Sequence, residues 1–169
     1  ASEPGLKRTW RMGIGGSQAN PVIFVATRFE GLIASTNGGA SWGTSFPSSN
    51  AVSDIVTFSD GGVMISVINV GIFYSEDGMP GSYSANLVPT GMNGFKRIEL
   101  AHSAANEDKI YALFGDSDAS LGSKYFGYFE RTVTSTSASF SYTPEANPST
   151  GYTQSTYQLM LGVSDDNSD

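Results

Sequence analysis

One phrase is written three times in this chain and begun a fourth time, and that internal repeat limits the available folds more than any other feature. Each copy opens on a short apolar element: Arg11-Met12-Gly13-Ile14, Ile55-Val56-Thr57-Phe58, Arg97-Ile98-Glu99-Leu100, then Gln158-Leu159-Met160-Leu161. A polar turn follows, and after it a β-branched and aromatic run: Val22 to Ala26, Val63 to Val67, Ile110 to Phe114. Such runs are strand formers. A glycine opens a third strand in each copy, at Gly31, Gly71 and Gly127, and an aromatic starts a fourth, at Trp42, Tyr83 and Phe140. Helical periodicity is absent.

Four short strands repeated in one order predict an all-β chain, specifically a β-propeller of four-stranded antiparallel blades. Between first-strand residues Ile14, Phe58 and Leu100 the spacings are 44 and 42, within the roughly 40–45 residues of a four-stranded blade. From Leu100 to Leu161 the spacing is 61, so the third copy carries an insertion. A β-sandwich also has short, evenly spaced strands, but it does not require the same landmarks in every quartet. The expected organisation is an N-terminal extension over 1–8, blades over 9–50, 51–92 and 93–155 with an insertion at 115–124, and the start of a fourth blade over 156–169. Rings usually hold 4–8 blades. The expected partners are therefore further blades from the same polypeptide or from other subunits.

Composition narrows the chemistry. Nine Lys+Arg against 16 Asp+Glu give a formal net charge of −7, which argues against a nucleic-acid partner, since phosphates call for a basic face. With no cysteine and one histidine, His102, disulfides, thiolate nucleophiles and multi-histidine metal centres within the chain are excluded. The longest apolar stretch, Val63 to Tyr74, is broken by Asn69 and Gly71 and is too short to span a bilayer. The first residues lack the apolar core of a signal peptide, so either none exists or it has been removed. A surface rich in Ser, Thr, Asn and Gly and poor in charge predicts an exported bacterial protein, secreted or at the cell surface.

Between the third and fourth strands of the first copy stands Ser35-Thr36-Asn37-Gly38-Gly39-Ala40-Ser41-Trp42. This resembles the Asp box, or bacterial neuraminidase repeat, Ser-x-Asp-x-Gly-x-Thr-Trp, with Asn37 for the Asp and Ser41 for the Thr. The second copy, from Ser75 to Tyr83, keeps the acid at Asp77 beside Gly78, carries one extra residue and ends in Tyr83. The third, Arg131 to Phe140, has lost the box. The residue types suit a tight hairpin: a Ser or Asx oxygen accepts backbone N–H groups, and glycine such as Gly39 adopts positive φ. The aromatic is expected to pack between neighbouring sheets. In families with this motif it lies on the blade periphery, so the resemblance implies a structural role for Ser35, Asn37, Gly39, Trp42, Ser75, Asp77, Gly78 and Tyr83. Over residues 9 to 169 the order of strands and turns is similar to that of sortilin-like and xyloglucanase-like propellers of exported bacterial proteins.

Candidate chemistry is sparse. Arg11 and Arg97 fall at equivalent first-strand positions, and arginines clamp carboxylates bidentately, as the resemblance to sialidases implies for sialic acid; a structural role is the plainer expectation. Asp116-x-Asp118-x-Ser120 alternates oxygen ligands as calcium loops do, yet lacks their sixth-position Gly and twelfth-position Glu, which favours a solvated loop and no cofactor. Asp54, Asp60, Glu99 and Asp116 are available for glycosidase chemistry, but no spacing singles out a pair. Trp10, Phe29, Tyr125, Tyr142, Tyr152 and Tyr157 are the aromatics considered for sugar stacking, and His102 is read as a solvent-facing turn residue. The leading expectation is a non-catalytic module, a scaffold or recognition surface for glycans or proteins. The rival is part of a glycoside hydrolase using axial carboxylates.

Overall fold

A computed structural model describes residues 8–117, 123–134, 137–146 and 159–164. It is all-β: three antiparallel sheets and, among the described residues, no α-helix. The chain divides into two compact units, one ending at Leu87 and the other beginning at Val88.

The first unit holds two sheets. One is β1 (Thr9–Ser17), β2 (Asn20–Thr27), β3 (Leu32–Ser35) and β4 (Gly43–Phe46) in sequential order. The other is β5 (Val52–Thr57), β6 (Val63–Val67) and β7 (Gly71–Ser75). Both first strands carry an irregularity at the same place, between Thr9 and Arg11 and between Val52 and Asp54. Within the first unit the ladders shift the sequence alignment of the two repeats by one residue. Ile14 pairs with Ile23, which pairs with Ser35; Thr57 pairs with Val63, which pairs with Ser75. Thr57, not Phe58, is thus the counterpart of Ile14, and Asp54, not Ile55, that of Arg11. In the second unit Leu100 pairs with Ala112, which pairs with Gly127, so Leu100 and Arg97 do not hold the ladder positions of Ile14 and Arg11. Phe58 imitates the apolar pattern but sits past the strand, closing the hairpin through its N–H to the Gly62 carbonyl at 2.9 Å.

The two sheets bury a common core. From the first sheet come Phe24, Ala26 and Leu32; from the second, Val63, Ile65 and Val67. Successive residues of a strand point to opposite faces, so each trio or pair along β2 or β6 defines one face. By ladder position the counterparts of Val63, Ile65 and Val67 in the first sheet are Ile23, Val25 and Thr27, on the face away from this core. The sheets therefore stack head to tail, one face of the first against the opposite face of the second. They are also in phase. Thr57 on β5 donates its hydroxyl to the Ile14 carbonyl of β1 at 2.9 Å, and at the other edge Phe46 of β4 meets Phe73 and Tyr83 at 4.9 and 5.0 Å between ring centres.

The second sheet has three strands where four are expected. After Pro80-Gly81 the chain returns beside β7, but side chains replace part of the ladder: Ser84 Oγ accepts from the Tyr74 N–H at 3.1 Å and Asn86 Oδ1 from the Ile72 N–H at 3.1 Å. Two backbone bonds alternate with them, Ser84 to Tyr74 and Leu87 to Ile72. Local side-chain acceptors compete with sheet pairing in this way.

The second unit is one sheet of β8 (Phe95–Ser103), β9 (Asn106–Asp116), β10 (Ser123–Val133) and β11 (Ala138–Pro144), again in sequential order. The expected turn over residues 101–108 is shorter, because β8 continues through His102 to Ser103. His102 is thus a half-buried strand residue, its Nδ1 3.1 Å from the Ser103 carbonyl. Of the expected fourth-blade strand, Gln158 lies outside the described residues, and Leu159 to Leu161 form no strand.

Candidate functional site

The two serine-led turns of the first unit are built alike. Ser35, at the end of β3 and 1% exposed, accepts from the Gly39 N–H at 2.9 Å and donates to Asn37 Oδ1 at 2.9 Å. Asn37 Oδ1 accepts from the Ser41 N–H at 2.9 Å, and its amide nitrogen donates to Ser41 Oγ at 2.8 Å. At the end of β7, Ser75 accepts from the Gly78 N–H at 2.7 Å and donates to Asp77 Oδ1 at 3.1 Å, while Asp77 Oδ1 accepts from the Met79 N–H at 2.9 Å. One buried hydroxyl and one Asx oxygen thus organise each turn, the work that residue type suggests. In the second unit Arg131 stands where the serine would; it is buried and bonded to Asp108 at 2.8 Å. That hairpin closes through the Thr134 N–H and the Ser137 carbonyl instead.

The Ser82 hydroxyl, the Met79 N–H and the Ser75 hydroxyl hold the Asp77 carboxyl below its ordinary range. A carboxyl depressed in the folded state contributes stability that is complete above its unfolded value, about 4, and is lost as pH falls through the folded value. Thermal unfolding from pH 6 downward should therefore show an acid-side decline that is shallower in Asp77→Asn; identical slopes would contradict this.

Tyr83 follows the second turn and links it to β4. Ser45 Oγ donates to the Gly78 carbonyl at 2.6 Å, so its 2.8 Å contact with Tyr83 has the phenol as donor. Burial, with the Asp77 charge adding to it, pushes the Tyr83 phenol up to about 12. The protonated form is favoured by folding, so stability is full below about pH 10, the unfolded value, and falls as pH rises toward 12. Tyr83→Phe should flatten this alkaline decline and abolish a phenolate absorbance change titrating near pH 12; an unchanged titration would contradict the assignment.

The corresponding aromatic of the first turn behaves differently. Trp42 is half-buried and lines an open cleft of about 300 Å³ with Ala34, Thr36, Ser41, Gly43, Thr44, Ser45, Gly78, Met79 and Pro80. Tyr83 joins the core between the sheets as expected. Trp42 does not: it lies just before β4, the outermost strand of its sheet, and it makes no ring contact, cation contact or hydrogen bond with described residues. The sequence reading missed this cleft because two segments separated by about 40 residues form it. The signal present in the sequence was the lengthened second turn, whose one extra residue falls in the stretch that holds Met79-Pro80.

The other candidates are committed elsewhere. Arg11 and Arg97 belong to different units, and each is paired with an acid of its own: Arg11 with Asp54 at 3.3 Å, Arg97 with Glu99 at 2.5 Å. Asp54 also accepts from the Ile55 N–H, and Asp60 from the Gly62 N–H. Asp116 faces Lys124 at 3.6 Å; Asp118 and Ser120 lie outside the described residues. Among the described residues no three His, Cys, Asp or Glu are grouped to hold a metal ion. Of the aromatics considered for stacking, Phe29 is exposed between Arg8 and Arg28, which sit 5.1 and 5.2 Å from its ring centre. Trp10 is half-buried. Tyr125 bonds the Asn93 carbonyl and Tyr142 packs on Phe129 at 4.9 Å. Tyr152 and Tyr157 lie outside the described residues.

Comparison with protein-family models, with curated proteins and with solved structures finds no match.

Proposed function

We propose that this chain is a non-catalytic module built of β-propeller blades, belonging to an exported bacterial protein and serving as a recognition surface for glycans or proteins. The observation that carries the reading is the head-to-tail, in-phase stacking of the first two sheets. A sandwich made by folding two like sheets onto each other would bring equivalent faces together; here the Phe24 face meets the face opposite to its own equivalent. Stacking of that sense repeats without limit until a ring closes, which is how blades succeed one another. The serine-led turns, read as Asp boxes, then sit on the outer hairpins and brace them.

The non-catalytic half of the reading is supported by what the acids do. Asp54, Asp60, Glu99 and Asp116 are each engaged by a guanidinium, an ammonium or a backbone N–H. Retaining and inverting glycosidases both need two carboxyl groups facing a bond from opposite sides. A panel of neutral and acidic polysaccharides, followed for new reducing ends during long incubation with the chain, tests this: no release is expected. Release that depends on Asp54 or Glu99 would overturn it.

A further inference from the structure

We infer that the cleft between the outer hairpin of the first sheet and the Ser75–Tyr83 turn is a subsite for a neutral sugar ring, with Trp42 as its platform. This names a site and ligand class within the recognition reading above, on which it rests.

Three observations carry it. First, Trp42 is unspent. A tryptophan covered by its own fold usually packs against other rings and finds a partner for its indole N–H. Here neither is found among the described residues, although Phe46, Phe73 and Tyr83 nearby are fully engaged with one another. Second, the hydroxyls at the mouth are unspent as well. The Thr36 and Thr44 side chains are exposed and their hydroxyls bond no described residue, so the cleft offers donors and acceptors of variable direction beside an aromatic plane. Third, none of the ten lining residues is charged, in a chain with 25 charged side chains counted as nine basic plus 16 acidic.

An ionic ligand would find no counter-charge there. A pyranose matches instead: it has a face of C–H bonds for the indole and a rim of hydroxyls for Thr36, Thr44 and the indole N–H. The volume, about 300 Å³, stands at the lower end of the roughly 300–1,000 Å³ of ligand sites, enough for one ring of a chain whose neighbours run along the open sides. A proline-rich peptide is the other neutral ligand of aromatic grooves, but such grooves grip it between several rings, and this one has Trp42 alone.

The test uses fluorescence, because the chain has two tryptophans, Trp10 and Trp42. In Trp10→Phe, Trp42 is the sole indole reporter. Cellohexaose, xylohexaose, laminarihexaose, maltohexaose, mannohexaose and chitohexaose are titrated as neutral probes, with hexagalacturonate as the acidic one and decaproline as the peptide. A saturable emission change with at least one neutral oligosaccharide is expected. Adding Thr44→Arg, an exposed position on β4, should weaken it by on the order of tenfold or more. Trp42→Ala in the native background should lose the same binding, measured by calorimetry. The inference is overturned if no neutral oligosaccharide moves the emission, if Thr44→Arg leaves the affinity unchanged, or if hexagalacturonate or decaproline binds better than all of them. Failure of the site is distinguishable from failure of the recognition reading. Glycan binding in affinity gels that ignores Trp42→Ala removes this site alone, whereas reducing-end release removes the reading.

Discussion

Gly31→Ala is expected to destabilise the first unit by roughly 2–5 kcal/mol, from a backbone term of about 1–2 and an overpacking term of about 1–3. Gly31 opens β3 at φ 76°, where a side chain strains the backbone. A Cβ there would collide with the Phe46 carbonyl oxygen and lie 2.7 Å from the Ser48 nitrogen. Both are backbone atoms, one at the end of β4 and one two residues beyond it, so no rotamer change relieves the contact. The same residue's carbonyl accepts from the Thr27 N–H at 3.0 Å and the Thr27 hydroxyl at 2.9 Å, so displacing it also loosens the β2–β3 hairpin. Urea unfolding should show a markedly lower midpoint at unchanged slope. A loss under about 1 kcal/mol, less than the overpacking term alone usually costs, would mean that β4 does not approach β3 as described.

Glu99→Ala should cost the second unit about 3–5 kcal/mol, the usual penalty for leaving one member of a buried ion pair alone. Glu99 is 1% exposed although it stands on a strand of the sheet, and the Arg97 side chain that meets it on the same face of β8 is 13% exposed. The pair's net worth is much smaller than this penalty, because removing two charges from water offsets most of their attraction. Arg97→Met combined with Glu99→Leu should therefore recover most of the lost stability. Chemical unfolding of the single and double variants checks both statements. A double variant no more stable than Glu99→Ala would show that the carboxylate does more than neutralise Arg97.

The landmarks that carried the sequence reading have separate physical reasons, and these explain which of them were legible. Two of the repeated glycines were visible because the need is steric, although Gly127 lies inside β10 and does not open it: there, as at Gly31, a Cβ would strike backbone of the neighbouring strand, at Gly127 the Thr143 carbonyl. Ser35, Asn37, Ser75 and Asp77 were visible because their acceptor geometry is local, satisfied within a few residues. Pattern alone could not separate Thr57 from Phe58 as the end of β5. Apolarity marks burial, and Phe58 is buried without being in the ladder. The missing strand after Tyr83 was equally hidden, since Ser84 and Asn86 satisfy β7 with side chains that sequence cannot distinguish from solvent-facing ones. The Trp42 cleft depends on two distant segments meeting, which no single window of residues records. Trp42 and Tyr83 occupy the same place in the repeat and do different things for that reason.

The stacking sense of the first two sheets underlies the rest, and nuclear Overhauser contacts read it directly. Head-to-tail, in-phase packing predicts contacts from the Thr57 methyl to the α-protons of Gly13 and Gly15, which face it across the sheets. It also predicts contacts between the Tyr83 and Phe46 rings. Contacts between Phe24 and Met64, the equivalent positions of the two sheets, in place of these would contradict the account.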